Sequence, residues 1–142
     1  MKTNIALLIE QSVNVIDSLN KGLRLTPEEQ QLFCEHFERE EIKKNEFTIR
    51  IGDYEKYLYF IESGILRYWT AQEYGDPDKE ITFWFSFPGE FANSYFSLKE
   101  NQPSLIHIQA LTDCVIWKLS KLDLADLYQT SLNINKIARI VL

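Results

Sequence analysis

Most of the residues able to hold a ligand or do chemistry fall between positions 87 and 110, where the chain reads FPGEFANSYFSLKENQPSLIHIQA. Gly89 closes a Pro-Gly turn, and Glu90 and Phe91 follow it. Asn93, Ser94 and Tyr95 open a short helix-capable segment that runs to about Leu98, and Ser104 and Leu105 follow the polar loop closed by Pro103. A helix N-terminus presents unpaired backbone N–H groups and a partial positive charge. The chemistry suggested is therefore the holding of an anion on the N–H groups of residues 93–95. Bond-making is not suggested. Ser94, Ser97 and Ser104 have no histidine or aspartate spaced to activate a nucleophile, so capping and loop hydrogen bonds account for them.

His36 and His107 are the only histidines. A metal-holding β-roll enzyme of the cupin type uses a His-x-His pair, a carboxylate and a further histidine, whereas this chain has His107-Ile108-Gln109. No catalytic residue, metal or cofactor is expected. His107 reads as a packed or hydrogen-bonded strand residue, with ligand contact or pH sensing as the open alternative. Cys34 and Cys114 stand far apart with no CxxC spacing. They read as buried free thiols, and two isolated cysteines cannot hold an iron–sulfur cluster.

These residues must be positioned by a single domain. The length of 142 residues suits one hydrophobic core, and a composition 45% apolar and 25% charged is that of an ordinary globular chain. A net charge of −6, with Lys and Arg scattered among acids, argues against nucleic acid as a direct partner. The opening MKTNIALLIEQS is too short and too polar to span a membrane, and no cleavage site follows it. No membrane partner is expected, and the expected compartment is the cytoplasm.

Ile5, Leu8, Ile9, Val13 and Ile16 recur at helical spacing and predict an amphipathic helix over 4–19. Thr26-Pro27-Glu28-Glu29 supplies an N-cap, a first-turn proline and a capping-box glutamate, predicting a helix over 27–37. From about residue 41 the apolar period changes to two. Strands are predicted over 48–51, 57–62, 65–69, 80–87, 105–111 and 114–119, with Ser63-Gly64 read as a hairpin turn. Ser120 and Asp123 read as a second capping box, opening a helix through Tyr128. Ile134, Ile137, Ala138 and Val141 fall at i, i+3, i+4 and i+7 of a last helix beginning near Leu132. The fold class is mainly β with flanking helices, as an eight-stranded antiparallel roll or jelly-roll barrel. N-terminal helices are expected over 1–40, the β-roll over 41–119 and C-terminal helices over 120–142. The chain stops inside an apolar periodic pattern, so a further domain beyond residue 142 is expected.

The order of helices, roll, short helix with loop, strands, capped helix and last helix resembles the cyclic-nucleotide-binding domain, a double-stranded β-helix. It is most similar to the sensor half of Crp/Fnr-type bacterial transcription regulators. The resemblance is carried by Lys43-Lys44-Asn45-Glu46, Gly52-Asp53, the YLYFIESGILR block from Tyr57 to Arg67, Phe87-Pro88-Gly89-Glu90-Phe91, and the ALTDC block from Ala110 to Cys114. It covers roughly residues 25–142. In members that bind cyclic AMP, a glycine-glutamate pair heads the short helix and the glutamate takes the ribose hydroxyl. An arginine followed by a small hydroxyl residue takes the cyclic phosphate. Carried across, these positions are Asn93-Ser94 and Ser104-Leu105, and none keeps the family residue.

The resemblance implies an effector-sensing domain that does not bind cyclic AMP in the usual way, with an unknown small-molecule effector or none. It implies a homodimer at full length, with the dimer helix opening on the Ile134, Ile137, Ala138 and Val141 face, and DNA contact only through a domain absent here. Two other readings stay open: a stand-alone interaction or dimerisation module with a vestigial pocket, and a cupin-type metalloenzyme.

Overall fold

The computed structural model of the chain describes residues 26–72, 74–76 and 78–135. The helix expected over 4–19 lies outside them. In chain order the elements are α1 (Pro27–Glu35), β1 (Glu38–Ile42), β2 (Phe47–Ile49), β3 (Tyr57–Ser63), β4 (Leu66–Ala71), β5 (Glu80–Ser86), β6 (Phe91–Ala92), α2 (Tyr95–Glu100), β7 (His107–Ala110), β8 (Cys114–Ser120) and α3 (Lys121–Thr130). A further helical turn follows at 132–135. The strands form two four-stranded sheets, ordered β1-β8-β3-β6 and β2-β7-β4-β5, and every pairing is antiparallel. This is the mainly β roll with flanking helices that the alternating pattern predicts.

The two sheets enclose one core, and α1 and α3 cover a second. On β3, Tyr59 and Ile61 face the roll interior with Ile49, Leu66, Tyr68, Ile108 and Ile116. Leu58 and Phe60, on the other face, meet Phe33 and Phe37 near α1, Leu124 and Leu127 of α3, and Trp117 and Leu119 of β8. Side chains alternate across a strand, so four consecutive buried residues serve two layers.

The start of α1 forms as the sequence predicts. The Thr26 hydroxyl accepts the Glu29 N–H at 3.2 Å and the Glu29 carboxylate accepts the Thr26 N–H at 3.0 Å. The same carboxylate also takes the Ser131 hydroxyl and the Asn133 amide at 3.1 Å. Ser131 in turn caps the last helical turn by accepting the Ile134 N–H at 3.1 Å. One glutamate thus ties the first described helix to the last. Ser120 caps α3 by accepting the Asp123 N–H at 3.1 Å.

Four local expectations change. The roll begins at Glu38, not near 41, because β1 pairs with β8 along its whole length and Glu40 meets Lys118 at 3.4 Å. Tertiary pairing here overrides a charged sequence that reads as helix. The short helix starts two residues late, at Tyr95, with Ser94 as its N-cap. Ile134, expected on a dimer-facing stripe, is 2% exposed in the chain's own helix-side core. Ile137, Ala138 and Val141 lie outside the described residues.

The fourth change concerns Ser63-Gly64, which is not a hairpin turn: β3 and β4 belong to different sheets. Gly64, at φ +90°, sends the chain across the roll, and the link docks on the β7–β8 turn. There Leu111 N–H donates to the Ile65 carbonyl at 2.9 Å and Ile65 N–H to the Thr112 hydroxyl at 3.2 Å. A Cβ on Gly64 would stand 2.5 Å from both the Asp113 carbonyl and the Cys114 sulfur. At Gly52, also at positive φ, a Cβ would meet nothing within 4 Å.

Gly52→Ala should therefore cost only the left-handed backbone strain, about 1–2 kcal/mol, and Gly64→Ala about 4 kcal/mol or more. Urea denaturation of the two variants measures both. Equal losses would show that the close approach at Gly64 is not a constraint.

Candidate functional site

The candidate site is the segment from the Pro88-Gly89 turn to Ser104, together with the 52–56 connection that packs on it. Gly89 N–H donates to the Ile61 carbonyl at 2.8 Å and Ile61 N–H to the Glu90 carbonyl at 3.0 Å, which staples the turn to the end of β3. The Glu90 carboxylate accepts the Phe87 N–H at 2.6 Å and so closes its own turn; it does not reach the head of α2. Phe91 packs outward, its ring centroid 5.1 Å from that of Phe60 and 6.4 Å from that of Phe33.

Beyond β6 the chain turns inward. Ser94 is 2% and Ser104 1% exposed, and their hydroxyl oxygens lie 2.8 Å apart in a hydrogen bond. The Ser104 hydroxyl also donates to the Ile106 carbonyl at 2.8 Å. Its backbone is paired with the 52–56 connection: Ser104 N–H donates to the Asp53 carbonyl at 2.7 Å, and Gly52 N–H to the Ser104 carbonyl at 2.9 Å. The positions at which the resemblance places a glutamate and an arginine are thus joined by a neutral bond. Tyr95 and Leu105 point outward, at 45% and 64% exposure.

The residue that sequence reasoning missed is Glu55. It sits in Gly52-Asp53-Tyr54-Glu55-Lys56, a polar string that reads as a surface turn, yet it is 4% exposed. Its carboxylate accepts the Ser94 N–H at 2.9 Å and the Tyr57 N–H at 3.4 Å. Its own N–H donates to the Ser97 hydroxyl at 2.8 Å. Burial pushes its carboxyl up to about 7, against the pull of backbone hydrogen bonds from Ser94, Tyr57 and Lys56. The expected anion site at residues 93–95 is therefore largely spent inside the protein. Ser94 N–H goes to Glu55, and Asn93 N–H goes to the Tyr68 hydroxyl, which also takes the Ser86 hydroxyl at 2.9 Å. The Asn93 side-chain nitrogen is buried without a partner. No sequence period could have marked Glu55; a carboxylate three residues beyond a turn glycine is a signal only once the turn is known to fold inward.

His107 lies on the outer face of its sheet, beside the wholly buried Ile108. Its Nδ1 accepts the Ile51 N–H at 3.1 Å, and its ring centroid is 4.2 Å from that of Trp69. Burial and then the Arg50 charge lower its pKa, so it serves as a neutral acceptor. Cys34 and Cys114 are buried free thiols, and burial pushes Cys34 up to about 11. Among the described residues no three potential metal ligands come together, and no helix is long and apolar enough to cross a membrane.

A family profile described as "cyclic nucleotide-binding domain" matches residues 39–131, well over half of the chain. The chain belongs to the cyclic nucleotide-binding domain family. Comparison with curated protein sequences finds no match. Solved structures share the fold. The Thermus thermophilus catabolite activator protein superposes with a TM-score of 0.71 at 24% identity, over 86% of this chain and 55% of that protein. A cyclic nucleotide-binding domain from Methylobacillus flagellatus gives 0.78 at 16% identity, over 96% of this chain and 73% of that one. The sensor domain of the transcriptional regulator DNR from Pseudomonas aeruginosa gives 0.70 at 12% identity, over 95% and 88%. This cyclic nucleotide-binding domain thus spans about half the length of the Thermus regulator.

Two measurements probe the closed arrangement. A double-mutant cycle of Ser94→Ala and Ser104→Ala should give a coupling of about 1 kcal/mol for the buried hydroxyl pair. Additive losses would mean that the two serines act separately. Glu55 should also make stability pH-dependent. In the unfolded chain it titrates near the ordinary carboxylate value of about 4.3, and in the folded chain at about 7. Its protonated form is therefore favoured by folding. The stability it contributes is full below about pH 4.3 and is lost as pH rises from there through 7, by up to about 4 kcal/mol. Urea denaturation at pH 5 and pH 8 should show that loss relative to Glu55→Gln, which has no such titration. Parallel behaviour of the two proteins would remove Glu55 as the cause.

Proposed function

We propose that this domain is the effector-sensing half of a Crp/Fnr-type transcription regulator whose effector is not cyclic AMP bound through the usual contacts. The observation that carries this reading is the Ser94–Ser104 bond at 2.8 Å, formed where two charged anchors would otherwise hold ribose and phosphate. Losing two charge-assisted hydrogen bonds of about 1.5–3 kcal/mol each weakens a ligand at least a hundredfold. The Glu55 carboxyl, on the Ser94 N–H at 2.9 Å, adds repulsion toward a phosphate whenever it is ionised. The similarity to transcription regulators of known structure supports the regulatory setting.

In this reading the protein is cytoplasmic and non-enzymatic, and it dimerises through its last helix, of which residues 132–135 are described. It reaches DNA only through a further domain; the −6 charge of this segment disfavours direct contact. A small molecule or a partner would act by shifting a two-state dimer. A second reading, a stand-alone interaction module with a vestigial pocket, is favoured by the internal hydrogen bonds that close the cassette.

Calorimetry with cyclic AMP and cyclic GMP tests the ligand claim. Binding should be weak or undetectable, and a dissociation constant at or below about 1 μM, roughly −8 kcal/mol, would overturn the argument from missing anchors.

A further inference from the structure

The 52–56 connection touches the cassette at both ends. Ser104 is held through Gly52 and Asp53, and the head of α2 through Glu55, which joins Ser94 and Ser97. Glu55 is the one contact of the set that can change charge. Beside it, between β2 and this connection, lies a cavity of about 400 Å³, lined by Thr48, Asp53, Tyr54, Glu55, Lys56 and Tyr57 among others. Glu55 therefore borders open space.

We infer that the Glu55 carboxyl is a proton-operated latch on the cassette: protonated, it stays buried on the Ser94 N–H and holds the head of α2 in place; ionised, it turns into the adjacent cavity and releases Ser94. The inference takes the cassette to be the sensing element, as proposed above, and assigns the proton as a regulator of it.

The surroundings of Glu55 favour the neutral form. From its own connection Asp53, Tyr54 and Lys56 are near, from β3 Tyr57 and Tyr59, and from β4 Tyr68. The cassette side presents the Ser94 N–H and the Ser97 hydroxyl. Asp53 carries negative charge, and burial raises the Tyr59 and Tyr68 hydroxyls, so that both remain neutral. Glu40 and Glu90, farther off, add negative charge felt by the same tyrosines. Lys56 is the cation among the residues around the carboxylate. Among the described residues the ion pairs are Arg39–Glu41, Arg67–Glu80 and Lys118–Glu40, and none involves Glu55. A buried carboxylate without a counter-ion takes up a proton or leaves for water, in keeping with its elevation to about 7. Between about pH 4.3 and that value each unit of rise favours the released state by nearly tenfold, and above it the preference levels off.

Amide hydrogen exchange on the intact 142-residue chain tests this, with rates divided by the intrinsic rate at each pH. The Ser94 amide should lose nearly tenfold in protection between pH 5 and pH 6 and level off above about pH 7, while amides of the β3–β8 ladder keep theirs. In Glu55→Gln the loss should vanish. A parallel carbon-13 titration of the unmodified chain should place the Glu55 carboxyl near neutral pH, which keeps the test decisive if the variant fails to fold. A Glu55 carboxyl titrating near pH 4, protection constant with pH, or the same loss in Glu55→Gln would each overturn the latch. The readout uses neither nucleotide nor DNA. Failure of the latch therefore leaves the sensor reading standing, and tight cyclic AMP binding would refute the missing-anchor argument without touching the latch.

Discussion

The β3–β8 pair has no face turned to solvent, and the rest of the molecule depends on its register. Leu58 lies opposite Leu119 and Phe60 opposite Trp117, and these four build the helix-side core. Ile61 lies opposite Ile116, and together with Tyr59 both face the roll interior. A slip of one residue would exchange the two sets and drive Lys118 and Glu62 into the layers. Because both faces are apolar but differ in shape, the register is specified twice. Burial of each large side chain contributes about 1.5–3 kcal/mol.

That pair also fixes where the candidate site can be. β3 is entered through the 52–56 connection, left through the Gly64 crossing, and flanked by the short β6, which leads directly into the cassette. The cassette is consequently held by backbone from two directions before any side chain of its own acts. The Gly52 and Asp53 bonds to Ser104 and the Ile61 bonds to Gly89 and Glu90 need no particular side chains. A scaffold of that kind tolerates varied side chains at 94 and 104, provided that whatever is buried there is satisfied. Ser94 and Ser104 meet the condition by bonding to one another.

The parts legible in the sequence were those set by local chemistry. The Thr26–Glu29 capping box needs only residues three apart, and the alternating runs needed only a sheet to lie on. Three features depended on distant partners and were not legible. Glu38 to Glu41 is a strand because β8 accepts it. Ser63-Gly64 looks like a hairpin because Ser-Gly suits a tight turn, but a run of four buried residues on β3 requires partners on both faces, and Gly64 leads to the other sheet. Glu55 has the neighbours of an exposed turn, and its burial follows from the folding of residues 52–56 onto α2. That 94 and 104 hold serine is plain from position alone; that the two hydroxyls bond to each other is not.

Neither Ser94 nor Ser104 belongs to either apolar core, so the packing of the roll is separate from what these two positions hold. The segment around them is not free of cost. Asn93 stands at the helix head where the resemblance places a glycine, and its buried amide nitrogen has no acceptor. Such a group costs about 1–3 kcal/mol, and Glu55 adds a charge that becomes harder to bury as pH rises. Both penalties belong to the closed arrangement and would be relieved by an open one. A domain that holds its cassette shut with neutral hydroxyls, while keeping two unfavourable polar groups beneath it, is balanced nearer to opening than its backbone ties alone would leave it. A ligand or proton change shifts such an equilibrium only by the free energy with which it distinguishes the two states, and Asn93 and Glu55 are where that difference is stored.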